Sequence, residues 1–344
     1  MPLTNGTVDD ELLGVTDTDH LRLPTVPTRA TPRAVASATA TRWTLGALTE
    51  FVPANRPGVV FGRGLIAAIM GTLGSMPSAT TVIPVRTPQL RGEWVLAPGV
   101  EFGGRAGYYV HGSAYTICSA RTHRKLVARL SEATGLPIFV VDYRLAPECR
   151  FPTAADDVEA GYRWLLEQGY AAADIVIGAD SAGGHLTLDL LLTHAHEADF
   201  QPAGVVLFSP LVDLSLGLAS QQEQVRRDPA MSATAARRLV GLYTDGHDHG
   251  HPRLKLDFTH AAKLPPILTQ VGGFEMLRAD ARYLHGELSD AGATSVLEVW
   301  PGMVHVFQAL PRLAPEARPA LRRAAAFIAH VHGNSRPDGL EEVS

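Results

Sequence analysis

The segment V-I-G-A-D-S-A-G-G-H, residues 176–185, decides the fold that this sequence predicts. Apolar and small residues lead into Ser181, and small residues then lead into an apolar helical pattern. This order of residues is typical of a buried strand that turns sharply into a helix, because the turn leaves no room for larger side chains. The usual pattern is G-x-S-x-G, and Ala179 stands here in the place of the first glycine. Such a turn lifts the Ser181 hydroxyl out of the sheet, where a base can reach it.

Short apolar runs alternate with helical patterns from about residue 80 onward. The sequence predicts strands over residues 93–97, 107–110, 137–143, 174–179, 204–209, 266–272 and 294–300. It predicts helices over residues 119–134, 153–168, 182–196, 277–291 and 317–332. Nearly continuous apolar strands that alternate with helices favour an α/β fold, with a mostly parallel sheet covered by helices on both faces.

Two regions do not show this alternation of strands and helices. Residues 1–40 show little periodicity and predict a loose lead-in, whereas residues 41–76 carry apolar residues at helical spacing that indicate two or three short helices. Residues 213–262 are polar, with one helical pattern over 233–243, and indicate an insertion that lies over the sheet edge. We therefore divide the chain into an N-terminal cap and lead-in (1–80), a core in two parts (81–212 and 263–344) and a cap insertion (213–262).

The composition excludes several classes of protein. The 344 residues have a net charge of −5 and 46% hydrophobic residues, and no basic run suggests a nucleic-acid partner. No apolar stretch is long enough to predict stable membrane insertion, and the N-terminus lacks a leader pattern. Cys118 and Cys149 indicate free thiols, and we expect a cytoplasmic protein. A homodimer is left open.

Two loops downstream of Ser181 carry the groups that a serine nucleophile needs. A serine hydroxyl requires a base and a carboxylate that orients the base, and in open α/β sheets these follow in the order serine, acid, histidine. The segment Q-V-G-G-F-E-M-L-R-A-D (270–280) places Glu275 in a loop after a predicted strand, and W-P-G-M-V-H (300–305) places His305 likewise. Glu275 is the favoured acid. Asp280 is an alternative acid or a helix cap.

The segment Y-V-H-G-S-A-Y, residues 109–115, offers a place for a developing oxyanion. Small residues directly after a predicted strand let backbone N–H groups approach a substrate carbonyl. We expect the N–H groups of Ser113 and Ala114 to act together with that of Ala182, and the Ser113 hydroxyl could add a donor. We assign His111 to the architecture of this loop.

Four blocks of the sequence together resemble the hormone-sensitive-lipase family of α/β hydrolases. They are H-G-S-A (111–114), D-Y-R-L-A-P-E (142–148), D-S-A-G-G (180–184) and G-M-V-H-V-F (302–307). The resemblance covers about residues 80–330 and implies an α/β-hydrolase fold with an N-terminal helical cap. It implies carboxylic-ester hydrolysis with Ser181 as nucleophile, His305 as base and Glu275 as acid, with no metal or organic cofactor. The 142–148 block is mostly architectural in the family.

Three residues depart from the family pattern. Ser113 replaces a glycine, Ala179 replaces the first glycine of the turn, and Glu275 stands where the family more often has aspartate. The expected reaction is hydrolysis of short- or medium-chain acyl esters, or of an ester of a small apolar metabolite. The alternatives are acyl transfer or lactone and natural-product processing by the same three residues, and a non-catalytic homologue that binds a small molecule.

Two further features admit two interpretations each. The apolar residues from 65 to 73 predict a cap helix that packs on the body, and they could also line an acyl pocket. His247, His249 and His251 alternate in a glycine-rich stretch, which is more typical of a solvated loop than of a zinc site.

Overall fold

The computed structural model describes residues 24–42 and 53–333. Its strands are β1 (Thr81–Arg86), β2 (Arg91–Leu96), β3 (Ala106–Val110), β4 (Ile138–Val141), β5 (Ile175–Asp180), β6 (Gly204–Phe208), β7 (Ile267–Gly272) and β8 (Ser295–Trp300). The α-helices of the described residues are α1 (Pro32–Thr41), α2 (Arg56–Leu73), α3 (Ala120–Thr134), α4 (Thr153–Glu167), α5 (Ala182–Thr193), α6 (Gly217–Val225), α7 (Ala233–Thr244), α8 (Arg278–Asp290) and α9 (Ala317–Val331).

The strands form one sheet in the order β1-β2-β4-β3-β5-β6-β7-β8. Strand β2 pairs antiparallel with β1 and β4, and all the other pairs are parallel. Strands β3 to β7 are buried along their whole length, which is why their sequences are mostly apolar. The predicted mostly parallel sheet is therefore confirmed.

Each face of the sheet has its own hydrophobic core. One core joins Tyr108 and Val141 to apolar residues of α4, α5 and α8. The other joins Tyr109 and Val140 to apolar residues of α3 and α9. Neighbouring residues of a strand point to opposite faces, so helices cover the sheet on both sides as the sequence predicts.

The first strand was not predicted. Strand β1 pairs antiparallel with β2 at the edge of the sheet, and none of its six residues is fully buried. Its sequence T-V-I-P-V-R also contains Pro84, which a sheet accepts at an edge. An edge strand with so little burial has no strong apolar alternation for a sequence pattern to detect.

The structure corrects the expectation of a loose lead-in at the N-terminus. Residues 32–40, which we assigned to a loose lead-in, belong to helix α1, with the Thr31 side chain accepting from the Ala34 amide at 3.1 Å. Residues 56–73 of the 41–76 region form one helix of 18 residues, α2, and the number of helices over 41–76 stays a prediction. Trp43, Leu45 and Leu48 lie outside the described residues.

The segment between β6 and β7 holds two helices where one was predicted. Helix α7 matches the expected pattern, and α6 precedes it. Helix α6 begins after Leu216 in a left-handed conformation, and the Asp213 carboxylate accepts from the amides of Gly217 and Leu218 at 2.8 and 3.0 Å. This cap lies four residues before the helix, so the usual signal of a capping residue next to the first helical residue is absent.

The 142–148 block fastens helices to the sheet, which agrees with an architectural role. Asp142 Oδ1 accepts from the Ala120 amide at the start of α3 at 2.9 Å. Glu148 pairs with Arg63 of α2 through two hydrogen bonds of 3.1 and 2.8 Å, so this block anchors the cap helix. Across the described ranges, no helix combines the length and apolar character needed to cross a membrane. The division into core, cap and insertion stays a prediction.

Candidate active site

Ser181 lies at the turn between β5 and α5, with φ 52° and ψ −124°. A positive φ is strained for a residue with a side chain and persists only where the surroundings impose it. Here the Ser181 amide donates to the carbonyl of Phe208 at 3.0 Å, and the Ser181 carbonyl accepts from Leu211 at 2.9 Å. The end of β6 therefore fixes the turn predicted from residues 176–185.

The small residues after Ser181 are required by close backbone contacts. A Cβ atom on Gly183 would lie 2.1 Å from the carbonyl oxygen of Val110, and one on Gly184 would lie 2.7 Å from Pro210 Cβ. Ala179, by contrast, is fully buried within the core on the α5 face. Its methyl group is packed in β5, so the departure from the usual first glycine does not crowd the turn.

Ser181, His305 and Glu275 meet at the carboxyl ends of β5, β7 and β8. The distance from Ser181 Oγ to His305 Nε2 is 3.1 Å, and that from His305 Nδ1 to Glu275 Oε2 is 2.6 Å. The two loops that carry His305 and Glu275 are also joined by backbone hydrogen bonds, with the amides of Gly273 and Phe274 donating to Trp300 and Met303 at 2.8 and 3.0 Å. The structure thus brings the three residues together as the sequence predicts.

Glu275 is almost completely buried, at 1% exposure, and both of its oxygens are bound. Oε2 contacts His305, and Oε1 accepts from the Ser209 hydroxyl at 2.7 Å and from the Gly272 amide. The Ser209 hydroxyl also accepts from the Val306 amide at 3.1 Å. Sequence reasoning missed Ser209, although its position directly after β6, at the same edge of the sheet, was an available signal.

The charge around His305 favours its protonated form. Burial alone would lower the pKa of His305, but the hydrogen bond and charge of Glu275, with the charges of Asp228 and Asp180, outweigh burial and raise it. A histidine with a raised pKa is suited to taking a proton during a reaction.

Asp280, the alternative acid, holds the backbone instead. Its Oδ1 accepts from the amides of Val212 and Asp213, both at 2.9 Å. Burial raises the pKa of Asp280 to about 7. Asp280 therefore fastens the start of the 213–262 segment to α8, and the carboxylate that contacts His305 is that of Glu275.

The loop after β3 is shaped by positive φ angles and a network of hydroxyl groups. Ala114 and Tyr115 have φ angles of 44° and 61°. Tyr143 donates its hydroxyl proton to the His111 carbonyl at 2.6 Å, so the Ser113 hydroxyl, 2.6 Å away, donates to Tyr143. Ser113 Oγ also accepts from the Tyr115 amide at 2.8 Å. The Ser113 hydroxyl is directed into the loop, and the expectation that it adds a donor for substrate is not supported.

The residues predicted to supply N–H donors lie near Ser181. Ser113 and Ala114 line the same cavity as Ser181. Ala182 is the first residue of α5, where an N–H group has no partner within the helix and the positive end of the helix dipole favours an anion. A Cβ atom on Gly112 would lie 2.1 Å from Asp180 Oδ2, so only glycine lets this loop approach the turn so closely.

Asp180 links this loop to β3 and α3. Its two oxygens bind the Tyr109 hydroxyl at 2.8 Å and His123 Nε2 at 3.3 Å. Burial would raise the pKa of Asp180, but these partners and the Gly112 amide outweigh it and lower the pKa. His111 is fully buried and stacks on Tyr143 at 4.3 Å, and burial, with His123 adding to it, lowers its pKa to about 4.

A cavity of about 200 Å³ opens onto Ser181 and His305. Helix α2 contributes Gly58, Val59, Gly62, Leu65, Ile66, Ile69 and Met70 to its wall. Ala230, Met231 and Ala235, from the segment between β6 and β7, line the cavity too. The apolar residues of 65–73 therefore line a cavity beside Ser181, and the same helix is tied to the body through Arg63.

Two residues of the histidine-rich loop contact an aromatic ring. The rings of His247 and His251 pack against the edge of Phe151 at 5.1 and 5.0 Å. Residues 24–42 and 53–333 contain no group of three or more His, Cys, Asp or Glu residues placed to hold a metal ion. Cys118 and Cys149 are free thiols.

Comparison with known proteins identifies the family. A family profile described as alpha/beta hydrolase fold matches residues 108–309. The carboxylesterase/phospholipase LipF of Mycobacterium tuberculosis is 35% identical over 260 residues, which cover 73% of this chain and 69% of that protein. An acetyl-hydrolase of Streptomyces hygroscopicus is 34% identical over 263 residues, covering 76% and 86% of the two chains.

The fold comparison agrees with the sequence comparison. The crystal structure of an esterase from the bacterial hormone-sensitive lipase family superposes with a TM-score of 0.78 at 30% identity, covering 89% of this chain and all of that one. The chain therefore belongs to the hormone-sensitive-lipase family of α/β hydrolases and is a carboxylic ester hydrolase.

Proposed function

We propose that this hydrolase works through an acyl-enzyme, with the Ser181 hydroxyl as nucleophile, His305 as general base and Glu275 as the carboxylate that orients the base. The observation that carries the proposal is the pair of contacts of 3.1 Å from Ser181 Oγ to His305 Nε2 and 2.6 Å from His305 Nδ1 to Glu275 Oε2. A serine hydroxyl becomes an effective nucleophile when a base lies beside it and a third group holds that base.

The carboxylate of Glu275 accepts the Nδ1–H of His305, which leaves the lone pair of Nε2 facing the Ser181 hydroxyl. Ser181 Oγ then attacks the ester carbonyl carbon while its proton passes to Nε2, and the carbonyl electron pair moves onto oxygen. Collapse of this intermediate expels the alcohol, which takes the proton from Nε2. Water attacks the acyl-enzyme by the same route and releases the carboxylic acid.

The oxyanion of this intermediate would be held by the N–H groups of Ser113, Ala114 and Ala182. Each fixed donor aimed at a developing oxyanion is worth about 3 kcal/mol of the barrier. Support comes from the position of Ser113 and Ala114 in the wall of the Ser181 cavity and of Ala182 at the start of α5. The binding of Ser113 Oγ to Tyr143 and to the Tyr115 amide restrains this loop before substrate arrives.

The substrate that suits this cavity is a short- or medium-chain acyl ester, or an ester of a small apolar metabolite. Its volume of about 200 Å³ is below the ~300–1,000 Å³ typical of sites for drug-sized ligands. The wall contributed by α2 is apolar, with Leu65, Ile66 and Ile69 facing the space beside Ser181. Apolar walls gain about 0.8 kcal/mol for each methylene group of an acyl chain that they bury.

A series of p-nitrophenyl esters of increasing acyl length, hydrolysed by the wild type and by Ser181→Ala, tests the mechanism and the size of the cavity together. We expect turnover for short and medium chains, a fall for long chains and loss of turnover in the variant, with an unchanged melting temperature. Turnover that survives in Ser181→Ala would rule out the assigned nucleophile.

Two measurements separate the remaining alternatives. Labelling by a fluorophosphonate requires a reactive serine, so an unlabelled Ser181 would indicate a non-catalytic binding protein. Product analysis with added alcohol or amine acceptors distinguishes hydrolysis from acyl transfer. The cytoplasmic location and a homodimer stay predictions from the sequence.

A further inference from the structure

The loop that carries Glu275, residues 273–277 between β7 and α8 (the acid loop), is contacted by the segment that precedes α7. Asp228 Oδ2 accepts from the amide of Met276, the residue next to Glu275, at 2.8 Å. The guanidinium of Arg226 lies 3.5 Å above the ring of Phe274. The segment 226–228 therefore contacts the acid loop through two different side chains.

The other carboxylate oxygen of Asp228 points to the cavity wall. Oδ1 accepts from the amide of Ala230 at 2.7 Å, and both Ala230 and Met231 line the cavity beside Ser181. One carboxylate thus joins the acid loop to the wall of the cavity. A turn at the surface would account for the hydrogen bond that the Ala230 amide donates to Asp228. It would not account for the second hydrogen bond, which the Met276 amide donates.

The charged groups around Asp228 make its carboxylate part of the electrostatics of the site. Burial raises the pKa of Asp228 to about 6, with the Glu275 charge adding to the rise, while the Ala230 and Met276 amides and His305 oppose it. The charge of Asp228 is in turn one of the causes of the raised pKa of His305. Two neighbouring arginines contact other groups. The Arg226 guanidinium lies over the Phe274 ring, and Arg278 donates to the Gly273 carbonyl at 3.2 Å.

We propose that Asp228 is a positioning residue. Its carboxylate holds the Met276 amide, so that Glu275 stays directed at His305, and it holds the Ala230 amide, so that this part of the cavity wall keeps its position relative to Glu275 and His305. The proposal rests on the proposed function of Ser181, Glu275 and His305. Asp228 touches no reacting atom, and it acts through the backbone of the acid loop and through its charge.

The test is Asp228→Asn, with Glu223→Gln as a matched control. Glu223 is a carboxylate of α6 that accepts from the Ala233 amide, at the start of α7, at 2.9 Å. The Asp228 carboxylate accepts from three N–H groups, those of Ala230, Met231 and Met276. An amide at 228 has one acceptor oxygen and carries no charge, so a bond to the backbone is lost. We expect kcat for p-nitrophenyl butyrate to fall roughly tenfold to a hundredfold, because small displacements of catalytic groups are costly.

The pH profile supplies a readout that a structural role would not move. Without the negative charge near His305, the acid limb of kcat/KM should shift to lower pH by roughly half a unit, since a nearby opposite charge raises the pKa of a histidine. By the same reasoning, Glu223→Gln should leave kcat within about twofold of the wild-type value and the acid limb within about a tenth of a pH unit. An Asp228→Asn variant that matches Glu223→Gln in both measurements overturns the proposal.

Two further measurements keep the outcome clear. If Asp228→Asn does not fold, Asp228→Glu takes its place, because it keeps the charge and displaces the carboxylate by one methylene. In this variant kcat should fall while the acid limb of the pH profile stays in place. An unchanged kcat refutes a positioning role. Ser181→Ala is assayed beside these variants. Activity that survives there contradicts the proposed function itself, whereas a failure confined to the Asp228 variants leaves it standing.

Discussion

The Ser209 hydroxyl donates to Glu275 Oε1 at 2.7 Å while it accepts from the Val306 amide at 3.1 Å. Ser209 follows β6, Glu275 follows β7 and Val306 belongs to the loop after β8, so one hydroxyl connects three neighbouring strand ends. The bond fixes the rotation of the Glu275 carboxyl group and leaves Oε2 directed at His305 Nδ1. Orientation of the acid is therefore shared between its own loop and a residue 66 positions away.

Replacing Ser209 by alanine should slow the enzyme without unfolding it. The variant leaves the Val306 amide without its acceptor and Glu275 Oε1 with only the Gly272 amide. A buried hydrogen bond of this kind contributes about 1 kcal/mol, and more when a charged group is involved, so kcat/KM should fall roughly tenfold.

Steady-state kinetics with p-nitrophenyl butyrate measures this effect, and Ser289→Ala is the control. Ser289 is an exposed serine of α8 that donates to the His285 carbonyl, so its loss should change kcat/KM by less than about twofold. Equal kinetics for the two variants would show that Ser209 does not orient the acid.

The sequence identifies those candidate site residues that follow a strand and carry a distinctive group. Ser181, Glu275 and His305 were found because each lies just after a buried apolar run, and the parallel sheet brings these strand ends to one edge. The predicted core strands correspond to β2 to β8, and β3 to β7 among them are buried along their whole length, which makes their sequences mostly apolar.

The residues that the sequence did not identify act through contacts between distant segments. Ser209 and Asp228 are common polar residues in loops, and their partners become visible only when β6, β7 and β8 lie side by side. Helix α6 was missed because its cap lies upstream, and helix α1 because its few buried residues, Ala34 among them, are small. Local patterns carry no information on such pairings.

The pH dependence of hydrolysis should report His305 with a midpoint above the ordinary value. As a base, His305 must be neutral, so activity is lost as the pH falls through its pKa. The Glu275 bond and charge, with Asp228 and Asp180, outweigh burial and raise that pKa, so the acid limb of kcat/KM should lie above about pH 6.5.

Glu275→Gln checks the cause of this shift. The variant removes the charge and leaves the tautomer of His305 undefined, so kcat should fall by roughly 10³–10⁴ and any residual activity should have its acid limb at lower pH. A wild-type midpoint at or below about pH 6.5 would contradict the raised pKa.

Asp280 should make the folded protein less stable as the pH rises. Burial raises its pKa to about 7, whereas an unfolded aspartate titrates near 3.9, so the folded state binds a proton over that interval. The contribution of Asp280 is therefore greatest below about pH 4 and is lost as the pH rises toward 7.

Asparagine at position 280 mimics the protonated acid, because its oxygen still accepts from the amides of Val212 and Asp213. The melting temperature of Asp280→Asn relative to the wild type should rise by a few degrees between about pH 5 and pH 8. Asp290→Asn, an exposed change in the same helix, should show no such trend. A pH-independent difference for Asp280→Asn would count against the raised pKa.

The cap helix should set the acyl length that the enzyme accepts. Ile69 of α2 lines the cavity beside Ser181, and a phenyl group at this position would occupy part of the ~200 Å³ available. The lost volume shortens the accommodated chain, so Ile69→Phe should retain hydrolysis of p-nitrophenyl acetate but lose at least about tenfold in kcat/KM for longer acyl chains, since overpacking costs 1–3 kcal/mol. Val60→Phe is the matched control, because Val60 lies on the same helix at 57% exposure. A chain-length profile that shifts equally in both variants would mean that α2 acts through its stability, and not through the cavity wall that Ile69 provides.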